Sequence, residues 1–455
     1  MSNRIDVNEL IERRGVGRLQ YELMALCGAL LIFDGFDTQA IGYVAPAILR
    51  EWGVGRPELG PIFSSGLAGL MLGALLFGPI ADRFGRKPTI ALCAVIFGVF
   101  TIGCAVAGSI HELMVFRLLA GFGLGGAMPN AIALTAEFAP QRSRARLATI
   151  LVCFFSLGAA IGGFLAAAII PHFGWRAVFW IGGLAPLAIL PVILVRLPES
   201  VRFLALRSDM TARVRAIVAR IAPAEAFTDV TEFWSSGEEE THSSPTLLFT
   251  HGRAAVTTFV WLGFFMNLIV LYFLSSYLPT ILHGVGISES DAVRATALYQ
   301  VGGLVGAVFI GWLMDRVEPG VVLASALTSA ALLICMIASA GNSLALVNCG
   351  TFGAGFCVVG GQVGANAYVS SLYPTAVRST GIGWALGVGR FGSVVGPMAV
   401  TALLALGWSV TNVFYSVALP AVLAGLFLWL AGSASRAHDP ATGSVLDGSR
   451  PRSAH

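Results

Sequence analysis

Charged residues are what this sequence has least of. Only 12% of its 455 residues are Asp, Glu, Lys or Arg, whereas soluble domains contain about 25%. Hydrophobic residues make up 56% of the chain. This balance excludes an ordinary soluble protein and indicates a chain that crosses a membrane many times. The net charge of +3 is small, and we expect no nucleic-acid partner.

Signals for metals, cofactors and cleavage are also missing. All seven cysteines fall in apolar segments and none has metal-ligand spacing, so we expect no zinc site and no disulfide. The first twenty residues mix acids with arginines and contain no short apolar core before a cleavage site, so the first span must act as the targeting signal. The glycines at 121–126 lie in an apolar run with no preceding strand, which favours helix packing over dinucleotide binding. We therefore expect no cofactor and no enzymatic activity.

Long apolar runs predict an all-α polytopic membrane protein, because lipid offers the backbone no hydrogen-bond partners. Twelve spans are predicted, in two groups of six around a longer polar segment. Spans one to twelve are predicted at 23–48, 59–81, 88–107, 113–136, 147–170, 177–195, 254–282, 295–314, 321–340, 344–369, 381–406 and 410–430.

Basic residues orient these spans. Lys and Arg cluster at the two termini, in the loops that follow even-numbered spans and in the central segment. The opposite side has only Arg50, Arg56, Arg176 and Arg294. The positive-inside rule therefore predicts that both termini and the central loop are cytoplasmic. We call this the basic side.

The two halves of the chain repeat at an offset of 233 or 234. Gly121 matches Gly355, Arg144 matches Arg378, and Asp34 falls on Asn267. Such symmetry is typical of transporters whose site lies at the midplane between the halves. The predicted domains are a cytoplasmic segment 1–22, six-helix bundles 23–200 and 253–431, a connector 201–252 and a disordered tail 432–455. Within the connector, 202–221 is predicted to form a basic amphipathic helix on the membrane surface and 235–245 a flexible linker.

Ionisable side chains inside the spans are the strongest functional signal. Asp34 and Asp37 share one face of span one at i and i+3, and each costs about 2.5–3.5 kcal/mol near mid-bilayer. Arg117 lies inside span four and Arg390 near the middle of span eleven. These residues predict a proton or substrate site. The alternative is that the acids and arginines pair only to fix helix packing.

Several motifs resemble those of the major facilitator superfamily. They are the loop at 78–87, Arg117 followed by Gly121, Gly123 and Gly125, and the segment 197–200. The Asp-Gly-Phe-Asp sequence at 34–37 is similar to that of its aromatic acid:proton symporter family, in particular the 4-hydroxybenzoate transporters. The resemblance implies two six-helix bundles, and import of an aromatic carboxylate with protons across a bacterial inner membrane by a monomer. The alternatives are proton-antiport efflux on the same fold and a non-transporting membrane sensor.

An anionic aromatic substrate needs a cation, a proton and an apolar slot. The planar fork of Arg390 suits a carboxylate, with Arg117 as the second candidate, and Asp34 and Asp37 are the proton-coupling candidates. Polar side chains within spans are candidates for binding a ring hydroxyl, or for joining helices. They are Asn130, Asn267, Gln362 and Asn366. Aromatic side chains are candidates for stacking on the ring, or for packing. They are Phe33, Phe36, Tyr272 and Trp384, with Tyr43 and Phe264.

The resemblance also implies an inner gate on the basic side. Its residues are Asp82, Arg83, Arg86, Lys87, Arg144, Asp315 and Arg316. The simpler alternative is a basic loop that only sets topology. The second signature loop is truncated, because Glu318-Pro319-Gly320 replaces its second basic cluster. Glu137 is expected to form an ion pair with Arg142 or Arg144.

Overall fold

Twelve long helices make up most of the described chain. The computed structural model describes residues 4–205, 211–221, 232–234, 245–250 and 252–438. All twelve helices are long and apolar enough to cross a bilayer, which confirms the all-α class and the number of spans. Spans one to six are Arg18–Trp52, Leu59–Phe84, Arg86–Val106, Ile110–Glu137, Gln141–Phe173 and Arg176–Arg196. Spans seven to twelve are Ala254–Gly284, Glu289–Met314, Pro319–Ser339, Leu344–Leu372, Thr375–Ala405 and Val410–His438.

Most helices run beyond the apolar segments that predicted them. Apolar side chains mark contact with lipid, whereas backbone hydrogen bonding continues until a cap or a breaker stops it. Span one has 35 residues and ends just before Gly53, which has a φ of 63°. Span four begins after Ser109, whose hydroxyl accepts a bond from the backbone N–H of Glu112. Span twelve continues to His438, so the predicted disordered tail is wrong for 432–438, and its remainder lies outside the described residues.

Short elements precede span one and lie between spans six and seven. They are the helices Val7–Arg14, Val201–Ala205 and Thr211–Ile221, and the strands Arg4–Asp6 and Glu232–Trp234, which pair in parallel. The sequence did not predict the strands. The predicted surface helix 202–221 is described as two helices, with 206–210 outside the described residues. Its membrane-facing placement is wrong, because Val214, Ile217 and Val218 are buried in a protein core cluster. The predicted linker 235–245 lies outside the described residues except for Pro245.

The described chain forms two compact units. Unit one comprises Met1–Ala40, Ser65–Gly162 and Phe173–Glu240, and unit two comprises Ile41–Ser64, Gly163–His172 and Thr241–His455. Unit two therefore holds spans seven to twelve together with parts of spans one, two and five. The six-helix domain bounds 23–200 and 253–431 follow the sequence repeat instead and stay a prediction.

Glycines at equivalent repeat positions make equivalent helix contacts. A Cβ on Gly121 would lie 2.1 Å from the carbonyl oxygen of Gly66 in span two. In the second half, a Cβ on Gly355 would lie 1.8 Å from the carbonyl oxygen of Tyr299. No side chain fits at these distances, so glycine permits the close approach of the helices. Two further pairs of contacts correspond in the same way. Gly158 packs against Ile32 as Gly392 packs against Phe265, and Gly69 packs against Leu118 as Gly302 packs against Phe352.

The second part of span one packs within unit two. A Cβ on Gly42 would lie 2.7 Å from the carbonyl oxygen of Ser275 in span seven. Arg50, at the end of span one, forms a 2.7 Å salt bridge with Glu289 at the start of span eight. Backbone contact and an ion pair together explain why this part of span one belongs to unit two.

Candidate functional site

A buried ion pair lies in unit one, between spans one and four. Nη1 of Arg117 is 3.1 Å from Oδ2 of Asp37, and their side chains are 3% and 0% exposed. Arg117 also donates to the Asp37 carbonyl oxygen at 3.3 Å, and Thr101 of span three donates to the Asp37 carboxylate at 3.0 Å. The guanidinium lies 5.9 Å from the ring centroid of Phe179. Asp37 and Arg117 therefore satisfy each other's charge inside the protein.

Gly35 lies between the two acids and Thr38 follows them, and both residues make close contacts. A Cβ on Gly35 would lie 1.9 Å from the carbonyl oxygen of Phe155, so glycine brings spans one and five into backbone contact. Asp34 is 2% exposed and accepts a 3.2 Å bond from the hydroxyl of Thr38. The acids thus lie in a tightly packed part of span one.

The aromatic residues of span one are packed against protein. Phe36 is buried, and its ring lies within 2.5 Å of a Cβ built on Gly162 and 2.9 Å of one on Gly182. Phe33 is partly buried against the core cluster of unit one. These positions favour packing over ring stacking for both side chains, and a binding role stays a prediction.

Arg390 is placed differently from Arg117. It is the sixteenth residue of the 31-residue span eleven, and it is partly exposed. Its Nη1 donates to the hydroxyl of Tyr272 in span seven at 3.4 Å, and no carboxylate among the described residues forms a salt bridge with it. In unit two, the structure therefore brings together two of the predicted site residues, Arg390 and Tyr272. The tyrosine is neutral, so it does not compensate the charge of the guanidinium.

Three neutral amides are also brought together in unit two. Nδ2 of Asn267 donates to Oε1 of Gln362 at 2.8 Å, and Nε2 of Gln362 donates to Oδ1 of Asn366 at 3.1 Å. Asn267 is 1% exposed, and its Oδ1 has no hydrogen-bond partner among the described residues. We call these three residues the amide chain.

Trp384 stacks on a second tryptophan. Its indole stacks on Trp261 with ring centroids 5.6 Å apart and an interplanar angle of 20°. The side chain is exposed on the surface of unit two. This stacking favours the packing alternative for Trp384, and its proposed contact with a substrate ring stays a prediction.

Arg86 is the centre of the charged cluster on the basic side of unit one. It contacts Oδ1 of Asp82 at 2.9 Å, Oε1 of Glu137 at 3.4 Å and Oδ1 of Asn130 at 3.2 Å. The expected pairing of Glu137 with Arg142 or Arg144 is wrong, because Arg86 takes that place. Asn130 also donates to the carbonyl oxygen of Gly126 at 2.8 Å, so the structure places it with the gate candidates.

Glu199 holds the start of span three, a contact that the sequence did not predict. Its Oε1 accepts bonds from the backbone N–H groups of Arg86 at 2.8 Å and Lys87 at 3.2 Å. A carboxylate is favourable at a helix N-terminus, where the dipole is positive. Gly85 has a φ of 104°, and a Cβ there would lie 2.4 Å from the carboxylate.

Arg83 lies beside Phe84, with 5.3 Å between the guanidinium and the ring centroid.

In the truncated loop of the second half, the carboxylate and the cation have exchanged places relative to Glu199 and Arg86 in the first half. Glu318 accepts from the backbone N–H of Gly320 at 3.2 Å and contacts Nη1 of Arg436 at 2.6 Å. Here the carboxylate precedes span nine and the cation comes from span twelve. Asp315 ends span eight, and Arg316 lies 4.0 Å from the ring centroid of Trp312. Arg436 thus contributes a cation where the loop lacks its second basic cluster.

The loops after spans four and ten repeat one contact. Nε of Arg144 donates to the carbonyl oxygen of Ala139 at 3.3 Å, and Nε of Arg378 donates to that of Tyr373 at 3.4 Å. Each arginine thereby binds a carbonyl just beyond the preceding helix. Arg144 is exposed, and a gate role for it stays a prediction.

Reversing either charge of the Glu318–Arg436 pair should destabilise the protein by about 1 kcal/mol, because a like charge replaces a partly exposed salt bridge. We expect Glu318→Arg and Arg436→Glu each to lower the melting temperature of the detergent-solubilised protein. The double variant should recover most of the loss. A double variant as unstable as the sum of the single changes would show that the two residues are not coupled.

Comparison with known proteins places the chain in a family. The model of the Major Facilitator Superfamily matches residues 27–359, and again 260–451. The chain belongs to the major facilitator superfamily. The gallate transporter of Pseudomonas putida is 40% identical over 438 residues, which cover 96% of this chain and 97% of that protein. The 4-hydroxybenzoate transporter PcaK of Pseudomonas aeruginosa is 38% identical over 437 residues, which cover 95% of this chain and 97% of that protein.

Solved structures support the same fold. The crystal structure of a D-xylose-proton symporter has a TM-score of 0.70 with 19% identity, over 90% of this chain and 97% of that one. The predicted superfamily and fold are therefore confirmed. The chain is a multi-pass membrane transporter and not an enzyme.

Proposed function

We propose that this transporter imports an aromatic carboxylate together with protons by alternating access. The named relatives are transporters of gallate and of 4-hydroxybenzoate. The observation that carries the proposal is the contrast between the two intramembrane arginines. Arg117 is buried in a salt bridge, whereas Arg390 has a tyrosine hydroxyl and no carboxylate partner among the described residues.

Arg390 binds the substrate carboxylate in this proposal. Its planar fork can donate two parallel hydrogen bonds to a carboxylate, a geometry that an ammonium group does not reproduce. Tyr272 holds the guanidinium and offers a hydroxyl beside it. An arginine within a span is costly unless an anion compensates it, so the substrate supplies what the described protein residues do not.

In this proposal Asp34 carries the proton, and Asp37 holds Arg117. Arg117 forms a salt bridge with the carboxylate of Asp37, and the hydroxyl of Thr101 donates to the same carboxylate. Asp34 is almost fully buried within span one and accepts from the hydroxyl of Thr38, and we assign the coupled proton to it. The acid pair of the sequence motif therefore divides into a proton carrier and a structural anion.

The remaining roles concern placement and gating. We place the basic side in the cytoplasm, the chain in a bacterial inner membrane as a monomer, and the gate at the loop cluster centred on Arg86. Alternating access is carried by the movement of the two predicted six-helix bundles.

Uptake in proteoliposomes tests the proposal. Under an inward gradient of one pH unit, one coupled proton supports about tenfold accumulation, since one unit corresponds to about 1.4 kcal/mol. We expect labelled 4-hydroxybenzoate to accumulate and a protonophore to abolish the accumulation. Empty liposomes and protein carrying Arg390→Ala are the controls.

Two results would overturn this function. Accumulation that is unchanged without any ion gradient would refute proton coupling. Substrate that is driven out of the vesicles by an inward proton gradient, with no counterflow of labelled 4-hydroxybenzoate, would favour proton-antiport efflux.

A further inference from the structure

The amide chain of unit two contains a buried polar atom without a hydrogen-bond partner among the described residues. Each amide donates to the next, from Asn267 to Gln362 at 2.8 Å and from Gln362 to Asn366 at 3.1 Å. This direction leaves Oδ1 of Asn267 as the free end of the chain, buried and without a partner among the described residues. A buried acceptor without a donor costs about 1–3 kcal/mol, so the site favours a ligand that supplies a donor.

The free end can accept a hydrogen bond and cannot donate one. In both hydrogen bonds of the chain, an N–H group donates toward Asn366: first Nδ2 of Asn267, then Nε2 of Gln362. The carbonyl oxygen of Asn267 takes part in neither bond. An acceptor of this kind repels a carboxylate and binds a hydroxyl. It therefore selects a different part of an aromatic acid from the part that Arg390 selects.

The repeat supports this assignment. Asn267 occupies the position that Asp34 holds in the first half, at an offset of 233. A second carboxylate at this position would repel an anionic substrate, whereas the amide keeps the acceptor without the charge. One half of the repeat thus has a titratable acceptor, and the other half has a neutral one.

The spacing along span seven matches a small ring. Asn267 precedes Tyr272 by five residues, which is about 7.5 Å along the helix axis. This rise is comparable to the length of a benzoic acid that carries a hydroxyl opposite its carboxylate. The two residues are also about 140° apart around the helix axis. A substrate whose carboxylate lies at Arg390 and Tyr272 therefore reaches the level of Asn267 along the axis, and it approaches Asn267 from the side of span ten, where Gln362 contacts it.

We propose that Asn267, oriented by Gln362 and Asn366, is the site that recognises a ring hydroxyl, so that the transporter selects hydroxylated aromatic acids over unsubstituted ones. This inference rests on the proposed function, because it assumes an aromatic carboxylate at Arg390. A site that binds a hydroxyl discriminates against an analogue that lacks it, because the protein acceptor is then left unpaired.

Binding of three probes to the purified full-length chain tests the site. They are 4-hydroxybenzoate, benzoate and 4-methoxybenzoate, of which the last keeps the ring oxygen and lacks the donor. We expect 4-hydroxybenzoate to bind about tenfold or more tightly than the other two. In Asn267→Leu this preference should fall to about twofold or less, chiefly through weaker binding of 4-hydroxybenzoate.

Two further variants separate recognition from folding. Gln362→Met keeps a similar volume but removes the acceptor that orients Asn267, and it should reduce the preference as well. Asn348→Leu makes the same chemical change as Asn267→Leu, in span ten about 21 Å from Gln362 along the helix, and should leave the preference unchanged.

The outcomes distinguish this site from the function on which it rests. Equal affinities for all three probes in the unaltered chain would refute the hydroxyl site and leave aromatic acid transport intact. A preference that survives both Asn267→Leu and Gln362→Met would refute it too. If the unaltered chain binds none of the probes, the proposed function fails and the hydroxyl site with it.

Discussion

Replacing Arg390 by lysine should weaken substrate binding by about tenfold to a hundredfold although the positive charge is kept. A hydrogen bond to a charged group contributes about 1.5–3 kcal/mol, and the ammonium group loses the bidentate geometry. It also cannot be held by Tyr272 in the same orientation, since the 3.4 Å contact is made by one arm of the guanidinium. The measurement is the dissociation constant for 4-hydroxybenzoate in detergent, normalised to monodisperse protein.

A matched substitution controls for general effects of lysine. Arg294 is exposed and pairs with Asp291 at 3.3 Å near the start of span eight, so Arg294→Lys should bind the substrate normally. Arg390→Ala should lose binding while the protein remains folded, because among the described residues Arg390 forms no salt bridge whose loss would leave a buried charge. Native affinity in well-folded Arg390→Ala would remove this residue from the binding site.

The two acids of span one should fail in different ways when each is changed to asparagine. Asp34→Asn mimics a permanently protonated acid, so the variant should exchange substrate across the membrane but lose the accumulation of about tenfold per pH unit. Protein abundance should be near normal, since Asn keeps the volume and can still accept from Thr38. The measurement compares counterflow with gradient-driven uptake in the same proteoliposomes.

Asp37→Asn should instead destabilise the protein. It leaves Arg117 buried and unpaired, and breaking such a pair costs about 3–5 kcal/mol. We expect a lower melting temperature and lower yield, partly restored by the second change Arg117→Gln. Asp291→Asn, at a partly exposed carboxylate near the start of span eight, is the control for both acids. Normal accumulation in Asp34→Asn together with uncoupling in a stable Asp37→Asn would reverse the two roles.

The sequence predicted the acids as one site, and the structure shows different contacts for each of them. Their i, i+3 spacing places both on one face of span one, which is a local property of a helix. The partners of Asp37 are Arg117 and Thr101, which are 80 and 64 residues away. Thr101 carries no pattern that would mark it as a partner, because its contact exists only once spans one, three and four are packed together.

Packing also changed the reading of individual polar and aromatic residues. Phe36 follows a glycine between two acids and was a candidate for stacking on a substrate, but it fills the space over Gly162 and Gly182. Asn130 was a candidate for a ring hydroxyl and lies against Arg86 instead. Arg436 had no predicted role and provides the partner of Glu318. Each outcome depends on a helix face that meets a neighbour distant in sequence.

By itself, the sequence determined the all-α class, the twelve spans, the repeat and the superfamily, because apolar length, the positions of basic loops and glycine spacing are written along the chain. It also supplied the short list of intramembrane charges. The tertiary structure alone decided that Arg117 is neutralised by Asp37, that Arg390 contacts Tyr272, and that Oδ1 of Asn267 has no partner among the described residues. The reason is that a charge or amide is satisfied by whichever side chain another helix brings within about 3 Å, and local spacing does not specify which helix that is.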